Sequence, residues 1–125
     1  DLYDNTLNFK YKDLASKLAK EAITKFYIKN KNIFQKNQIN NNDAFYNPVD
    51  IGDNTIPNGN AIMLINFVKL GMMDDAKKLS DSLNGYLNVY KSHMMTAIRA
   101  IDFFNNIKDG KNCNEQGCKI DVKKD

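Results

Sequence analysis

The sequence predicts an all-α fold built from two helical hairpins. Apolar residues recur at steps of three and four in four segments, which is the period of helices that bury a face or are buried all round. An amphipathic helix is twice followed by a strongly apolar one, and the two amphipathic helices share an apolar pattern at a constant offset of 61 residues. Repeated pairs of outer and inner helices are typical of a helical solenoid or a closed α/α ring.

The first predicted hairpin joins an amphipathic helix over residues 10–28 to an apolar helix that begins at Asn58 or Gly59 and ends at Leu70. The apolar helix has nonpolar residues on nearly every side, which indicates a buried helix. The connection over residues 29–57 has no helical period. A connection this long is uncommon in a compact domain and is usually functional or disordered.

The second predicted hairpin joins an amphipathic helix over residues 74–90 to an apolar helix over residues 93–105. The polar remainder, residues 106–125, is predicted to be a weakly ordered tail, so the helical domain occupies residues 1–105. Two hairpins alone would leave apolar surface of their inner helices exposed to solvent. We therefore expect further repeats of a parent chain, or a protein partner, to cover them.

Composition and charge exclude several classes of protein. A net charge of +3 over 125 residues is too small and too dispersed to indicate nucleic-acid binding. The longest apolar stretch, residues 61–70, is too short to cross a bilayer, so we expect no membrane span and a cytoplasmic location. The chain begins at Asp1 without a signal peptide, which suggests a piece excised from a longer protein.

The two cysteines, Cys113 and Cys118, lie in the predicted tail. A structural zinc site needs four ligands, and the chain has one histidine, so we expect no metal and no other cofactor. The spacing permits a local disulfide, but cytosolic thiols are reduced by default, and the sequence favours the reduced form.

One loop resembles a known family. The segment Asp53-Asn54-Thr55-Ile56-Pro57-Asn58-Gly59-Asn60 resembles the Asp-Gly-Ala-x-Pro-Ser-Gly-Asn segment of bacterial thioredoxin-domain proteins related to the spermatogenesis-associated thioredoxin family. Phe45-Tyr46 and residues 97–104 resemble two further stretches of that family, so the resemblance spans about residues 2–105. It implies that this chain is part of a C-terminal (α/α)6 toroid, similar to six-hairpin glycosidases and N-acylglucosamine 2-epimerases. The family's thioredoxin-like domain is absent from this chain.

The toroid implies a candidate site at the rim of its central cavity, where loops meet the amino-terminal ends of inner helices. Asp53 would act as an acid/base or accept a sugar hydroxyl, Asn58 and Asn60 would donate and accept hydrogen bonds, and Tyr46 would form a stacking wall. The ligand would be a carbohydrate or another small polar molecule.

A structural alternative assigns the same loop a different role. Asp53, Thr55 or Asn58 would cap the apolar helix, and Asn60 would tie the loop down. His93 is a second catalytic candidate because histidine titrates near neutral pH, although a lone histidine at a helix start is more often a cap or a core-edge residue.

Two functions follow from these observations. The resemblance implies a carbohydrate-binding or sugar-epimerase or glycosidase-like toroid. The alternative is a non-catalytic helical-repeat module whose apolar inner face binds a protein. The chain contains no nucleophile motif, no phosphate loop and no pair of carboxylates at helical spacing, so the sequence leaves open whether it is an enzyme.

Overall fold

The structure is a computed structural model that describes residues 2–37, 49, 51–53, 55 and 57–110, and the backbone of residues 112–114 and 117–119. Helices dominate these residues, which confirms the predicted all-α class. Two short antiparallel ribbons accompany the helices. The elements are α1 (Leu2–Thr6), α2 (Phe9–Phe26), β1 (Tyr27–Ile28), β2 (Ile33–Phe34), α3 (Gly59–Leu70), α4 (Met73–Tyr90), α5 (Met95–Lys108), β3 (Asn112–Asn114) and β4 (Gly117–Lys119).

The helix that follows the long connection begins and ends where the sequence predicts. Asn58 is its N-cap, and its side-chain oxygen accepts a hydrogen bond from the backbone N–H of Asn60. Gly71 ends α3 in the left-handed conformation, with φ at 75°, which costs glycine little because it has no Cβ. The local residues therefore determine both ends of this helix.

The last helix differs from its predicted range at both ends. Residues Lys91–His93 form a 3-10 turn, so α5 begins at Met95. At its other end, α5 continues past residue 105 to Lys108. The side chain of its N-cap residue, Met94, makes no capping hydrogen bond to the first turn. A carboxylate from an earlier part of the chain accepts a first-turn N–H in its place.

The first helix, predicted over residues 10–28, ends at Phe26, and Tyr27 and Ile28 form β1 instead. Its partner β2 lies in the connection predicted for residues 29–57. Tyr27 pairs with Phe34, and Ile28 pairs with Ile33. Strands this short are too brief to show an apolar alternation, so periodicity does not reveal them. Ile33 and Phe34 are buried, and β2 packs against α3 and α4, so the ribbon is part of the core.

α3 is the central helix of the fold and contacts α2, α4 and α5. The apolar surface expected to be bare on the inner helices is covered in part: Met94 and Phe103 are buried, whereas Ile62 on α3 is 39% exposed. Much of the exposed apolar surface lies instead on α1 and α2. The buried core consists of Ala19, Tyr27, Ile33, Phe34, Ala61, Leu64, Phe67, Val68, Ala76, Leu79, Leu83, Met94, Ala97, Ala100, Ile101, Phe103 and Phe104.

Candidate functional site

Asp53 joins the loop before α3 to the start of α5. Its Oδ1 accepts the backbone N–H of Asn58 at 2.9 Å, and its Oδ2 accepts the backbone N–H of Thr96 at 2.7 Å. Its own N–H donates to the carbonyl of His93 at 2.6 Å. Since the first N–H groups of a helix have no partner within it, Asp53 caps α5 from a distant part of the chain.

The charge of Asp53 is stabilised by these contacts. Burial alone would raise the pKa of its carboxyl group, but hydrogen bonds from the backbone and side chain of Thr96 and from the backbone of Asn58 together outweigh burial and hold the pKa below its ordinary value. A carboxylate with a lowered pKa, each oxygen of which already accepts an N–H, stays ionised at neutral pH. It is therefore poorly suited to donate a proton as a general acid.

Asn58 and Asn60 are buried beside Asp53, with exposures of 0% and 2%. The Asn58 side chain donates to the carbonyl of Ile51 and accepts from the N–H of Asn60, which confirms that it caps α3. The Asn60 side chain accepts the N–H of Phe34 at 2.8 Å and donates to its carbonyl at 3.1 Å. Asn60 thus bonds to β2 as a neighbouring strand would. We call Asp53, Asn58 and Asn60 the polar junction.

Of the remaining site candidates, His93 is among the described residues. His93 is an exposed residue and reaches the polar junction through its backbone carbonyl. Tyr46 lies outside the described residues. Among the residues that the structure describes, no group of three or more His, Cys, Asp or Glu side chains is placed to hold a metal ion. Ligand binding by Asp53, Asn58, Asn60, His93 and Tyr46 therefore stays a prediction.

Sequence reasoning missed two partners of the polar junction, the N–H of Thr96 and the backbone of Phe34. One indication was available for the first of them. Met94 stands at the N-cap of α5, where Ser, Thr, Asp or Asn would cap the helix, so a cap from elsewhere was required. Nothing in the sequence indicates the second, because any residue type offers the same backbone groups.

A second feature is an apolar groove that α1 and α2 form with α3, with a volume of about 670 Å³. The sequence predicts that Leu14 and Leu18 belong to the apolar stripe of α2, but their exposures are 51% and 57%. The described part of the chain thus leaves this side of α2 largely uncovered. The lining residues are Leu2, Tyr3, Asp4, Tyr11, Lys12, Leu14, Ala15, Leu18, Ala19, Ala22, Met63, Asn66, Lys69 and Leu70.

Polar contacts hold α1 at the end of the groove. Lys69 on α3 donates to the carboxylate of Asp4 at 3.3 Å, and this hydrogen bond lowers the pKa of Asp4. The ammonium of Lys12 lies 5.5 Å from the centre of the Tyr3 ring, within the range of a cation–π contact. The groove is thus apolar along its length, and its charged side chains lie where α1 meets α2 and α3.

The positive charge of the protein is concentrated on the helix that forms the groove. α2 carries five lysines and two acidic residues, whereas the rest of the chain carries thirteen basic and thirteen acidic residues. One helical turn separates Leu14 from Lys10 on one side and from Lys17 on the other. Lys25 pairs with Glu21, one of the two acids. The exposed leucines therefore lie within a basic surface.

Further apolar side chains are exposed where α4 ends and α5 begins. Val89 and Tyr90 belong to the last turn of α4, and Met95 and Ile98 belong to the first turn of α5. All four side chains are exposed, Val89 to 71%. Apolar surface is therefore exposed on both predicted helical hairpins.

The described helices include none that is both long and apolar enough to cross a membrane. Comparisons with protein families, with curated proteins and with solved structures found no match to this chain.

Proposed function

We propose that this chain is a helical interaction module that binds an acidic amphipathic helix of a partner protein in the groove between α2 and α3. The exposure of Leu14 and Leu18 carries the proposal. Exposed apolar surface of this kind, bordered by polar residues, marks interaction sites on soluble proteins. A helix that inserts leucines at steps of three and four would cover both side chains.

The shape of the groove favours a helix as its occupant. Its walls come from α2 and α3, which pack together, and α1 contributes Leu2, Tyr3 and Asp4. The residues of α2 that line the groove lie between Tyr11 and Ala22, a span of about 18 Å at a rise of 1.5 Å per residue, which a partner helix of comparable length could cover. The small residues Ala15, Ala19 and Ala22 are among its lining residues and allow a partner side chain to approach closely.

Charge favours an acidic partner. The net charge of α2 equals that of the whole protein, even with Asp13 beside Leu14. Asp4, which lines the groove, pairs with Lys69, and Glu21 on α2 pairs with Lys25. Carboxylates on the flanks of a partner helix would meet Lys10 and Lys17. Exposed pairs of this kind act mainly on association rate and specificity, and salt weakens them.

A fluorescent peptide tests the proposal. The probe is a helix of about 18 residues, as long as α2, with leucines at steps of three and four and glutamates on both flanks. We expect saturable binding by fluorescence anisotropy, and at least about tenfold weaker binding for the Leu14→Gln/Leu18→Gln double variant. A peptide with lysine in place of glutamate is expected to bind at least about tenfold more weakly than the acidic peptide.

Val89→Gln is the matched control, because it removes an exposed apolar side chain from α4 and leaves the groove intact. Circular dichroism confirms that each variant is folded. Equal affinity of the protein and its double variant for the acidic peptide would contradict the proposal, as would the absence of binding. Leucine-dependent binding to phosphatidylserine vesicles without peptide binding would assign the groove to a membrane surface instead.

A second candidate function follows from the resemblance and from the apolar surface exposed on both hairpins. An inner segment of a longer helical stack needs apolar surface towards the repeats on either side. In an (α/α)6 toroid of the carbohydrate-binding type, further helical pairs would occupy the groove and cover the exposed apolar side chains at the α4–α5 junction. A monosaccharide screen by thermal shift tests the sugar-binding part of this candidate, which predicts a raised melting temperature that Asp53→Asn abolishes.

A further inference from the structure

The two cysteines occupy one cross-strand position of the second ribbon. β3 and β4 pair antiparallel, with Asn112 opposite Lys119, Cys113 opposite Cys118 and Asn114 opposite Gly117. Both strands lie beside α5. The sequence alone shows two cysteines at a spacing that permits a disulfide and favours thiols by default. The register adds that their backbones are direct partners.

Direct partners in an antiparallel ladder have the separation that a disulfide needs. Opposed Cα atoms are about 4.5 Å or about 5.5 Å apart, depending on whether the pair exchanges hydrogen bonds. Disulfides span Cα separations of about 4.4 to 6.8 Å. Both kinds of pair fall within this range, so the bond can form without moving the strands.

We propose that Cys113 and Cys118 are a dithiol–disulfide pair that exchanges with small-molecule disulfides such as oxidised glutathione. One cysteine thiolate attacks the glutathione disulfide, forms a mixed disulfide and releases one glutathione thiolate. The second cysteine thiolate attacks the protein sulfur of the mixed disulfide and releases the second glutathione. The two cysteines lose two electrons, which reduce one glutathione disulfide to two thiolates, and the two cysteine protons pass to these thiolates.

The ladder determines which product accumulates. Cysteines held as cross-strand partners resolve the mixed disulfide within the chain, because the ladder keeps their backbones at the separation that a disulfide needs. In an unstructured tail, bringing the two cysteines together would cost conformational entropy. The mixed disulfide with glutathione would then persist at high glutathione concentration. The proposal therefore requires an intramolecular disulfide in preference to a glutathionylated protein.

Redox titration of the full chain tests the pair. The protein is equilibrated with mixtures of reduced and oxidised glutathione, quenched with acid and digested with trypsin. Because no lysine or arginine lies between the two cysteines, both remain in the peptide Asn112–Lys119. We expect this peptide to become lighter by about 2 Da, the mass of two hydrogen atoms, with little glutathione adduct. A dominant adduct or a chain-to-chain disulfide would overturn the proposal.

The double variant Cys118→Ser/Lys119→Cys is the matched control. It keeps two thiols and moves one by a single residue along β4, opposite Asn112 rather than Cys113. Adjacent strand residues alternate between the two faces of a ribbon, whereas one added residue changes the loop-closure entropy little. We expect its equilibrium constant for disulfide formation to fall at least about tenfold, which is about 1.4 kcal/mol. Equal constants would show that the ribbon does not position the pair, and the proposal would be wrong.

Discussion

Replacing Asn60 with Ala is expected to lower the free energy of unfolding by about 3 kcal/mol, because it removes both hydrogen bonds to Phe34. Asn60 and Phe34 are buried, so water cannot replace the lost partner. The N–H and the carbonyl of Phe34 would each lose the side-chain partner that Asn60 supplies. A buried polar group left without its partner costs about 1 to 3 kcal/mol, so the combined effect exceeds that of a typical surface substitution.

Urea unfolding monitored by circular dichroism measures this loss, and Asn66→Ala is its control. Asn66 lies on the same helix but is exposed, so its replacement is expected to change stability by less than about 0.5 kcal/mol. Hydrogen exchange gives a second, local measurement, since the Phe34 amide should lose its protection in Asn60→Ala. Equal stability of the two variants, with the Phe34 amide still protected, would contradict the assigned hydrogen bonds.

The sequence predicts the parts of this fold that depend on local residues. Asn58 and Gly71 delimit α3 because one accepts a hydrogen bond from the first turn and the other adopts a positive φ. The apolar character of α3 likewise indicates its central position. The β1–β2 ribbon is different, because its stability comes from Ile33 and Phe34 packing on distant helices. No local pattern records such contacts.

The polar junction, too, was predictable from the sequence only in its local contacts. The sequence identifies Asp53, Asn58 and Asn60 as residues that act together, and its structural alternative includes a capping role. It does not reveal that Asp53 caps α5 rather than α3, since that contact joins residues 43 positions apart. A sugar hydroxyl approaching Asp53 would have to share or displace the backbone N–H groups of Asn58 and Thr96.

The exposed stripe on α2 was missed for a related reason. Periodicity shows that Leu14 and Leu18 share a face of the helix, but it contains no information on what packs against that face. The concentration of positive charge on α2 was equally available from the sequence. This charge indicates a binding surface only once the structure shows that the groove lies along α2.

The second large effect is expected at Asp53. Replacing Asp53 with Ala removes the acceptor for two backbone N–H groups and leaves α5 without its cap, which should destabilise the protein by about 2 kcal/mol at neutral pH. Asp102→Ala is the matched control, because it removes an exposed carboxylate from α5 itself and should cost less than about 0.5 kcal/mol. Urea unfolding at pH 7 measures both variants.

The same comparison repeated across pH identifies the charge of Asp53 as the stabilising feature. Burial raises the pKa of this carboxyl group, and the hydrogen bonds from Thr96 and Asn58 together lower it further than burial raises it. The folded protein therefore holds the proton less tightly than the unfolded chain. A group with a depressed folded pKa stabilises the protein above its unfolded pKa, which for Asp is about 3.9. Its contribution disappears as the pH falls through the folded pKa. The difference in unfolding free energy between the protein and Asp53→Ala should therefore be constant from about pH 5.5 to about pH 7.5 and narrow below about pH 4. A difference that stayed unchanged under acid conditions would mean that Asp53 stabilises the fold by packing and not as an ionised cap of α5.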